Sequence, residues 1–234
     1  MGQKFHCLLL KLSGEVLKKG DEAIAPENLS RVVERCQILK KAGLDLAIVI
    51  GGGNIFRGGR QTALSRAAAD RIGMAATLVN ALTLKTALEN SRIPAELLSV
   101  PEISGISQYA DEKNARQARR ADKIVVYGGG TGLPFLTTDT AAVIRALEIG
   151  ADILLKATQV DGVYDSDPKL NKKARRYRQL TFGEAMEKKL AIMDQTAFSL
   201  CQEYNLAVAV FDFYQKENFQ KLANGEIPGT LLKS

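Results

Sequence analysis

The chain is poor in the residue types that most often carry chemistry: 234 residues hold one histidine, three cysteines and 6% aromatics. The lone His6 has no neighbour in sequence that suggests a triad or a ligand set, so a structural role is expected of it. Cys7, Cys36 and Cys201 are odd in number, widely separated and without metal-type spacing. Two of them fall in apolar patterns and read as buried thiols of a reducing cytoplasm. No segment is long and apolar enough to span a membrane, and the short run after His6 lacks a cleavage-site pattern. Met1-Gly2 hints at myristoylation, but position six is His rather than Ser or Thr. A cytoplasmic protein is expected, with no membrane partner.

Other absences narrow the chemistry. No segment supplies the Gly-x-x-x-x-Gly-Lys-Ser/Thr of a P-loop. The Gly-x-Gly pairs at Gly51 and Gly128 run on to Phe56 and Leu133, where a dinucleotide fingerprint needs a third glycine. Protein-kinase signatures are missing as well. The formal charge of +6 gathers in Arg116, Arg119, Arg120 and Lys123, and in Lys169, Lys172, Lys173, Arg175, Arg176 and Arg178. Only Tyr177 sits in either cluster, whereas a nucleic-acid surface wants interleaved aromatics. These clusters read as solvated faces with modest steering of anions, and no nucleic-acid partner is expected.

What is present is regular. A hydrophobic fraction of 46% and a charged fraction of 25% belong to a soluble globular domain. Apolar strands are expected at residues 5–12, 44–50, 95–99, 123–127, 151–155 and 207–212. Between them fall helical patterns: one opened by Pro26 and stopped by Gly43, a long one over 62–90, and one starting near Asp111. Others begin at Thr138 and Asp139, at the capping pair Thr181 and Glu184, and at 194, with a last helix toward Gly225. The polar stretch 159–179 reads as a loop or small hairpin. Repeated strand–helix units imply an α/β fold with a mainly parallel sheet covered on both faces. One domain over residues 1–234 is expected, with two lobes dividing near 150.

Four turns stand at the carboxyl ends of these strands: Lys11-Leu12-Ser13-Gly14, Gly51-Gly52-Gly53-Asn54, Gly128 to Gly132, and Lys156-Ala157-Thr158. Ligands of open α/β sheets collect at that edge, and glycine lets backbone amides approach a phosphate closely. Lys11 and Lys156 can converge on one phosphoryl group, or serve as ordinary strand-end lysines. Arg57 can bridge phosphates or remain a surface arginine. Asp70 can accept ribose hydroxyls or complement a helix dipole. Thr137, Thr138 and Asp139 cap a helix and can also hold a ligand. No general base appears near the turns, which suits a phosphate acceptor, since a monoester with a second pKa of about 6 is already a nucleophile.

The segments LLLKLSGE, IVIGGGNIFRGG, ADRIGMAATLVNAL, GGGTGLPFLTTDTAA, LLKATQVDGVYDSDP and IMDQTAF are ordered and spaced as in the bacterial uridylate (UMP) kinases of the amino-acid-kinase superfamily, which the chain resembles over nearly its whole length. The resemblance implies a three-layer αβα sandwich, a homohexamer, and transfer of phosphate from ATP to UMP with Mg2+ in pyrimidine nucleotide synthesis. It implies that Lys11, Leu12, Ser13, Gly14, Gly53 and Arg57 meet the ATP phosphates, and that Thr158, Tyr164 and Asp167 contact its adenosine end. It assigns UMP to Gly52, Asp70 and the run Thr131, Gly132, Leu133, Pro134, Phe135, Leu136, Thr137 and Thr138. Lys156, Asp139 and Asp194 are implied to organise the transferring group, and no dedicated metal ligand is expected. UTP, presenting the same uridine, is expected to inhibit. Relatives usually read GTGNPFFTTD where this chain has Leu133 and Leu136, and the segment KKGDEAIA at 18–25 departs from a longer stretch linked with GTP activation, so little GTP activation is expected. The alternatives are a sister kinase acting on a carboxylate or carbamate, and a non-catalytic nucleotide-binding protein of the same fold.

Overall fold

The structure, a computed structural model, describes residues 5–58, 63–168 and 170–234. Lys169 of the second basic cluster, Met1-Gly2 and the start of the helix expected from 62 lie outside the described residues. The elements in chain order are β1 (Cys7–Leu12), α1 (Pro26–Lys41), β2 (Asp45–Ile50), α2 (Arg66–Asn90), β3 (Ala95–Ser99) and β4 (Gln108–Tyr109). There follow α3 (Glu112–Arg120), β5 (Ile124–Gly128), α4 (Thr138–Ile149), β6 (Ile153–Thr158), β7 (Gln179–Thr181) and α5 (Phe182–Glu187). The chain finishes with α6 (Gln195–Glu203), β8 (Ala207–Asp212), α7 (Lys216–Ala223) and β9 (Thr230–Lys233).

Among the described residues, nine strands join one sheet in the order β4-β3-β5-β2-β1-β6-β8-β9-β7, parallel except for the β8–β9 pair. The central strands are apolar almost without interruption because helices cover both of their faces. Alternate residues of β1 divide accordingly. Leu8, Leu10 and Leu12 pack on one face with Val32 of α1, Leu84 of α2 and Phe219 of α7. Cys7 and Leu9 pack on the other with Ala115 of α3, Val143 of α4, Phe182 of α5 and Cys201 of α6. This is the three-layer α/β architecture expected from the strand–helix alternation.

Local chemistry sets the helix ends. Pro26 occupies the first turn of α1, where its missing N–H costs nothing. Ser65, Asp111 and Asp194 cap α2, α3 and α6 with side-chain oxygens, and Thr181 with Glu184 forms the expected capping box on α5. Gly150, at φ 70°, ends α4 in the left-handed conformation that suits glycine.

Three short strands, β4, β7 and β9, were not among the sequence expectations. His6 falls just before β1 rather than inside it. The stretch 159–179 does contain a small hairpin, in which Tyr164 and Arg176 pair across an antiparallel bridge. The segment 18–25 folds as a tight turn, with Lys19 and Glu22 exchanging backbone hydrogen bonds at 3.0 Å.

Candidate active site

The parallel pairing of β1 with β6 puts Lys11 directly opposite Lys156. Two ammonium groups so placed repel, and α4 supplies the compensating charge. Asp139, in its first turn, sets Oδ1 2.8 Å from Lys11 Nζ and Oδ2 2.5 Å from Lys156 Nζ. All three side chains are at most 15% exposed. Burial, followed by the neighbouring Lys11 charge, pulls the Lys156 ammonium below the ordinary lysine range, with Asp139 opposing. Burial alone would raise the Asp139 carboxyl, but the charges of Lys11 and Lys156 outweigh it and hold the group below the ordinary aspartate range.

Asp139 is in turn held in place. Thr137 caps α4, its Oγ1 accepting from the Asp139 N–H at 3.0 Å and the Thr140 N–H at 3.3 Å. The Thr137 hydroxyl donates to Asp194, and Thr140 Oγ1 donates to the same carboxylate at 2.9 Å. Asp194 also accepts from the Ala197 N–H at 2.9 Å, so one carboxylate ties the start of α6 to the start of α4. Asp194 therefore reaches Asp139 through two threonines and supports it from behind.

Two clefts flank this cluster. The first, of about 290 Å³, is lined by Gly52, Gly53, Asp70, Gly130, Thr131, Leu136, Thr137 and Thr138 among others. Gly132, Leu133, Pro134 and Phe135 do not line it; Leu133 is 62% and Phe135 66% exposed. The two departures from the relatives' pattern thus differ in kind: Leu133 faces solvent, whereas Leu136 faces the cleft. Asp70 accepts from Arg66 Nε at 2.8 and 2.9 Å and from the Phe135 N–H at 2.8 Å. Burial opposes ionisation there, and the Phe135 N–H and Arg66 overcome it, lowering the carboxyl pKa.

The second cleft, of about 610 Å³, has Lys156 in its wall with Thr158, Tyr164, Asp167, Lys188, Leu190 and Ile192. Thr158 Oγ1 donates to Val160 O at 2.7 Å, and the Tyr164 hydroxyl donates to Asp161 Oδ1 at 2.6 Å. A larger cleft, of about 1040 Å³, opens on the far side of Tyr164 and contains neither lysine. At the β1 turn, Ser13 Oγ accepts from the Glu15 N–H at 3.3 Å, with Leu12 buried just before it. Arg57 donates to Gly53 O at 3.1 Å and also pairs with the Glu15 carboxylate, which keeps its guanidinium beside that turn.

Sequence reasoning missed several members of this arrangement. Arg66 grips Asp70, Glu15 grips Arg57, and Thr140 shares Asp194. Thr77, buried on α2, accepts the Gly129 N–H at 2.9 Å. A polar residue on the buried stripe of an otherwise apolar helix is the signal that could have found Thr77.

The depressed Asp139 pKa fixes a pH dependence. A carboxylate whose folded pKa lies below its unfolded value of about 3.9 stabilises the fold above that value, and the contribution is lost as pH falls through the folded pKa. Asp139→Asn should therefore be less stable than the parent at pH 7, by about 3 kcal/mol, because two buried cations lose their partner. The gap should begin to narrow below about pH 4, where the unfolded parent takes up a proton at Asp139, and close as pH falls on through the lower folded pKa. Urea denaturation of both chains between pH 7 and pH 2 measures it, and a gap independent of pH would refute the ion-pair account.

Comparisons with known proteins agree with this architecture. The profile of the Amino acid kinase family matches residues 6–212. A curated protein of Magnetococcus marinus named "Uridylate kinase" is 44% identical over 230 residues, covering 97% of this chain and 95% of that one. The crystal structure of UMP kinase from Bacillus anthracis superposes with a TM-score of 0.94 at 34% identity, covering 99% of this chain and 97% of that one. The UMP kinase structure from Ureaplasma parvum gives 0.93 at 32% identity, covering 99% and 100%. With a family match over most of its length and relatives this similar end to end, the chain belongs to the amino acid kinase family.

Proposed function

We propose that this protein is a UMP kinase, transferring the γ-phosphoryl group of ATP to the phosphate of UMP to give ADP and UDP. The observation that carries the reading is the Lys11–Asp139–Lys156 cluster standing between two clefts, one of which contains Asp70. ATP is assigned to the cleft of Thr158, Tyr164 and Asp167, with its phosphates running toward Lys156 and the turn of Lys11 to Gly14. UMP is assigned to the cleft of Gly52, Asp70 and Thr131 to Thr138. In a loose phosphoryl-transfer transition state, charge spreads onto the equatorial oxygens, where two fixed ammonium groups stabilise it. No base is required, because the acceptor phosphate is already ionised.

Magnesium would come with ATP, held mainly by the phosphates, and would neutralise charge on their oxygens. Asp139 and Asp194 fit a supporting place better than a coordinating one, since lysines and threonines already engage them. An acceptor carboxylate or carbamate is disfavoured by Asp70, whose negative charge would face an anionic small acid. UTP is proposed to inhibit through the same uridine contacts, and GTP to activate little. We assign residues 1–150 to an acceptor-side lobe and 151–234 to an ATP-side lobe of one cytoplasmic domain in pyrimidine nucleotide synthesis.

A hexamer is proposed as well. Ile72, Ala75, Val79 and Thr86 are exposed on α2, with Leu82 half-buried, at the alternating spacing of three and four that seats one helix against another. A second copy of the chain is the occupant proposed for this stripe.

Coupled ADP release with UMP, CMP, acetylglutamate and carbamate tests the activity, with UMP the expected acceptor. In single-turnover kinetics, Lys11→Met and Lys156→Met should each slow transfer by about 100-fold, roughly 2.7 kcal/mol. The double variant should lose less than the product of the two, since residues acting as a unit are not independent. An intact chemical step in Lys156→Met would return that lysine to a structural role. For the acceptor, Asp70→Asn should weaken UMP binding by about 1.5–3 kcal/mol in calorimetry and leave ATP nearly untouched. Unaltered UMP affinity would remove Asp70 from the ribose. Val79→Asp should lower the sedimenting mass from the hexamer; an unchanged mass would place the interface elsewhere.

A further inference from the structure

Behind the phosphate turns lies a pair of carboxamides that direct chemistry does not use. Asn80, fully buried on α2, and Asn54, 9% exposed in the turn after β2, face each other amide to amide. Asn80 Nδ2 donates to Asn54 Oδ1 at 2.7 Å, and Asn54 Nδ2 donates back to Asn80 Oδ1 at 3.1 Å. Each amide has a second N–H, and both are spent on backbone carbonyls: Asn80 on Gly51 O at 2.7 Å, Asn54 on Ala23 O at 2.8 Å. All four donors are satisfied, and a fully satisfied buried network rigidifies what it joins.

What it joins is the floor of the donor-phosphate site. The turn after β1 rests on that floor so tightly that a Cβ at Gly14 would fall 2.1 Å from Asn54 Oδ1 and 2.5 Å from Gly51 O. Gly51 is also tied to β1 by its N–H, which donates to Leu12 O at 2.9 Å. The height of the Ser13-Gly14 amides above the sheet is thus set by the clasp. One turn earlier on α2, Thr77 accepts the Gly129 N–H, and two turns before that Asp70 reaches the acceptor cleft. A single helix therefore carries the anchor for the turns on both sides of the transfer.

We infer that Asn54 and Asn80 are positioning residues for phosphoryl transfer, holding the ATP-phosphate turns in register with the acceptor turn through α2. The inference rests on the reading of the chain as an ATP:UMP phosphotransferase. Because neither amide reaches a cleft-lining position for a substrate, its loss should misplace reacting groups rather than remove a binding contact, and an error near 1 Å costs about 100-fold in rate.

The variant Asn80→Leu keeps the volume and removes the hydrogen bonds. Its single-turnover rate should fall about 100-fold while the KM for UMP and for ATP stays within about threefold. Asn54→Leu should behave alike, and the double variant should lose no more than either single one. Leu84→Val, a core change on the same helix, controls for lost stability and should keep the parent rate. If Asn80→Leu does not fold, Asn54→Ala, at the less buried end of the pair, carries the same expectation. A folded variant with the parent rate, or a loss confined to KM, would overturn the clasp while the unmodified chain still turned over UMP. No turnover of UMP by the unmodified chain would overturn the functional reading and the inference with it.

Discussion

Two lysines on neighbouring parallel strands, opposite each other and buried, are an arrangement that a fold tolerates only with a counter-charge between them. At an effective dielectric of about 20, any two like unit charges about 4 Å apart repel by about 4 kcal/mol, which sets the scale of the problem. Asp139 offsets this, and its position is fixed by a chain of partners: Thr137 at the α4 cap, Thr140 in the next turn, and Asp194 at the head of α6. The register of β1 against β6, the start of α4 and the docking of α6 all serve that one cluster. In the proposed function these same two charges would be shared with the phosphoryl group in transfer.

The cleft that contains Asp70 follows a different plan. Its carboxylate, Asp70, is held by Arg66 from its own helix and by the backbone of the loop opposite. That loop carries Phe135 at φ 71°, a left-handed conformation that is uncommon for a non-glycine residue. Helix α2 and the 131–136 run are thereby drawn together across the cleft, and in the proposed function the ribose would share Asp70 with Arg66 and the Phe135 N–H.

Much of this was legible in the sequence because it depends on local pattern. Strands buried on two faces read as unbroken apolar runs, and Pro26, Gly43 and the Thr181–Glu184 pair mark helix limits directly. The lysines were legible because they end such runs. Strands β4, β7 and β9 were not. Gln108–Tyr109 is only two residues long and exposed, and Gln179–Thr181 joins the sheet solely by pairing with β9 at its edge. Partnerships across long sequence separations, such as Glu15 with Arg57 or Asp194 with Thr140, leave no periodic trace. Asn80 was hidden by its setting: on an apolar helix face a single amide looks like an interruption until the second amide is placed beside it.

The three cysteines acquire a meaning from where they sit. Burial pushes the Cys7 thiol up to about 11 and the thiols of Cys36 and Cys201 to about 12. Since only the thiolate reacts, each is shielded twice, by lack of access and by lack of ionisation. Cys36 packs on one face of the sheet, and Cys7 and Cys201 on the other. Their modification therefore acts as a clock for opening of the two layers separately, with the native fold itself silent to the reagent.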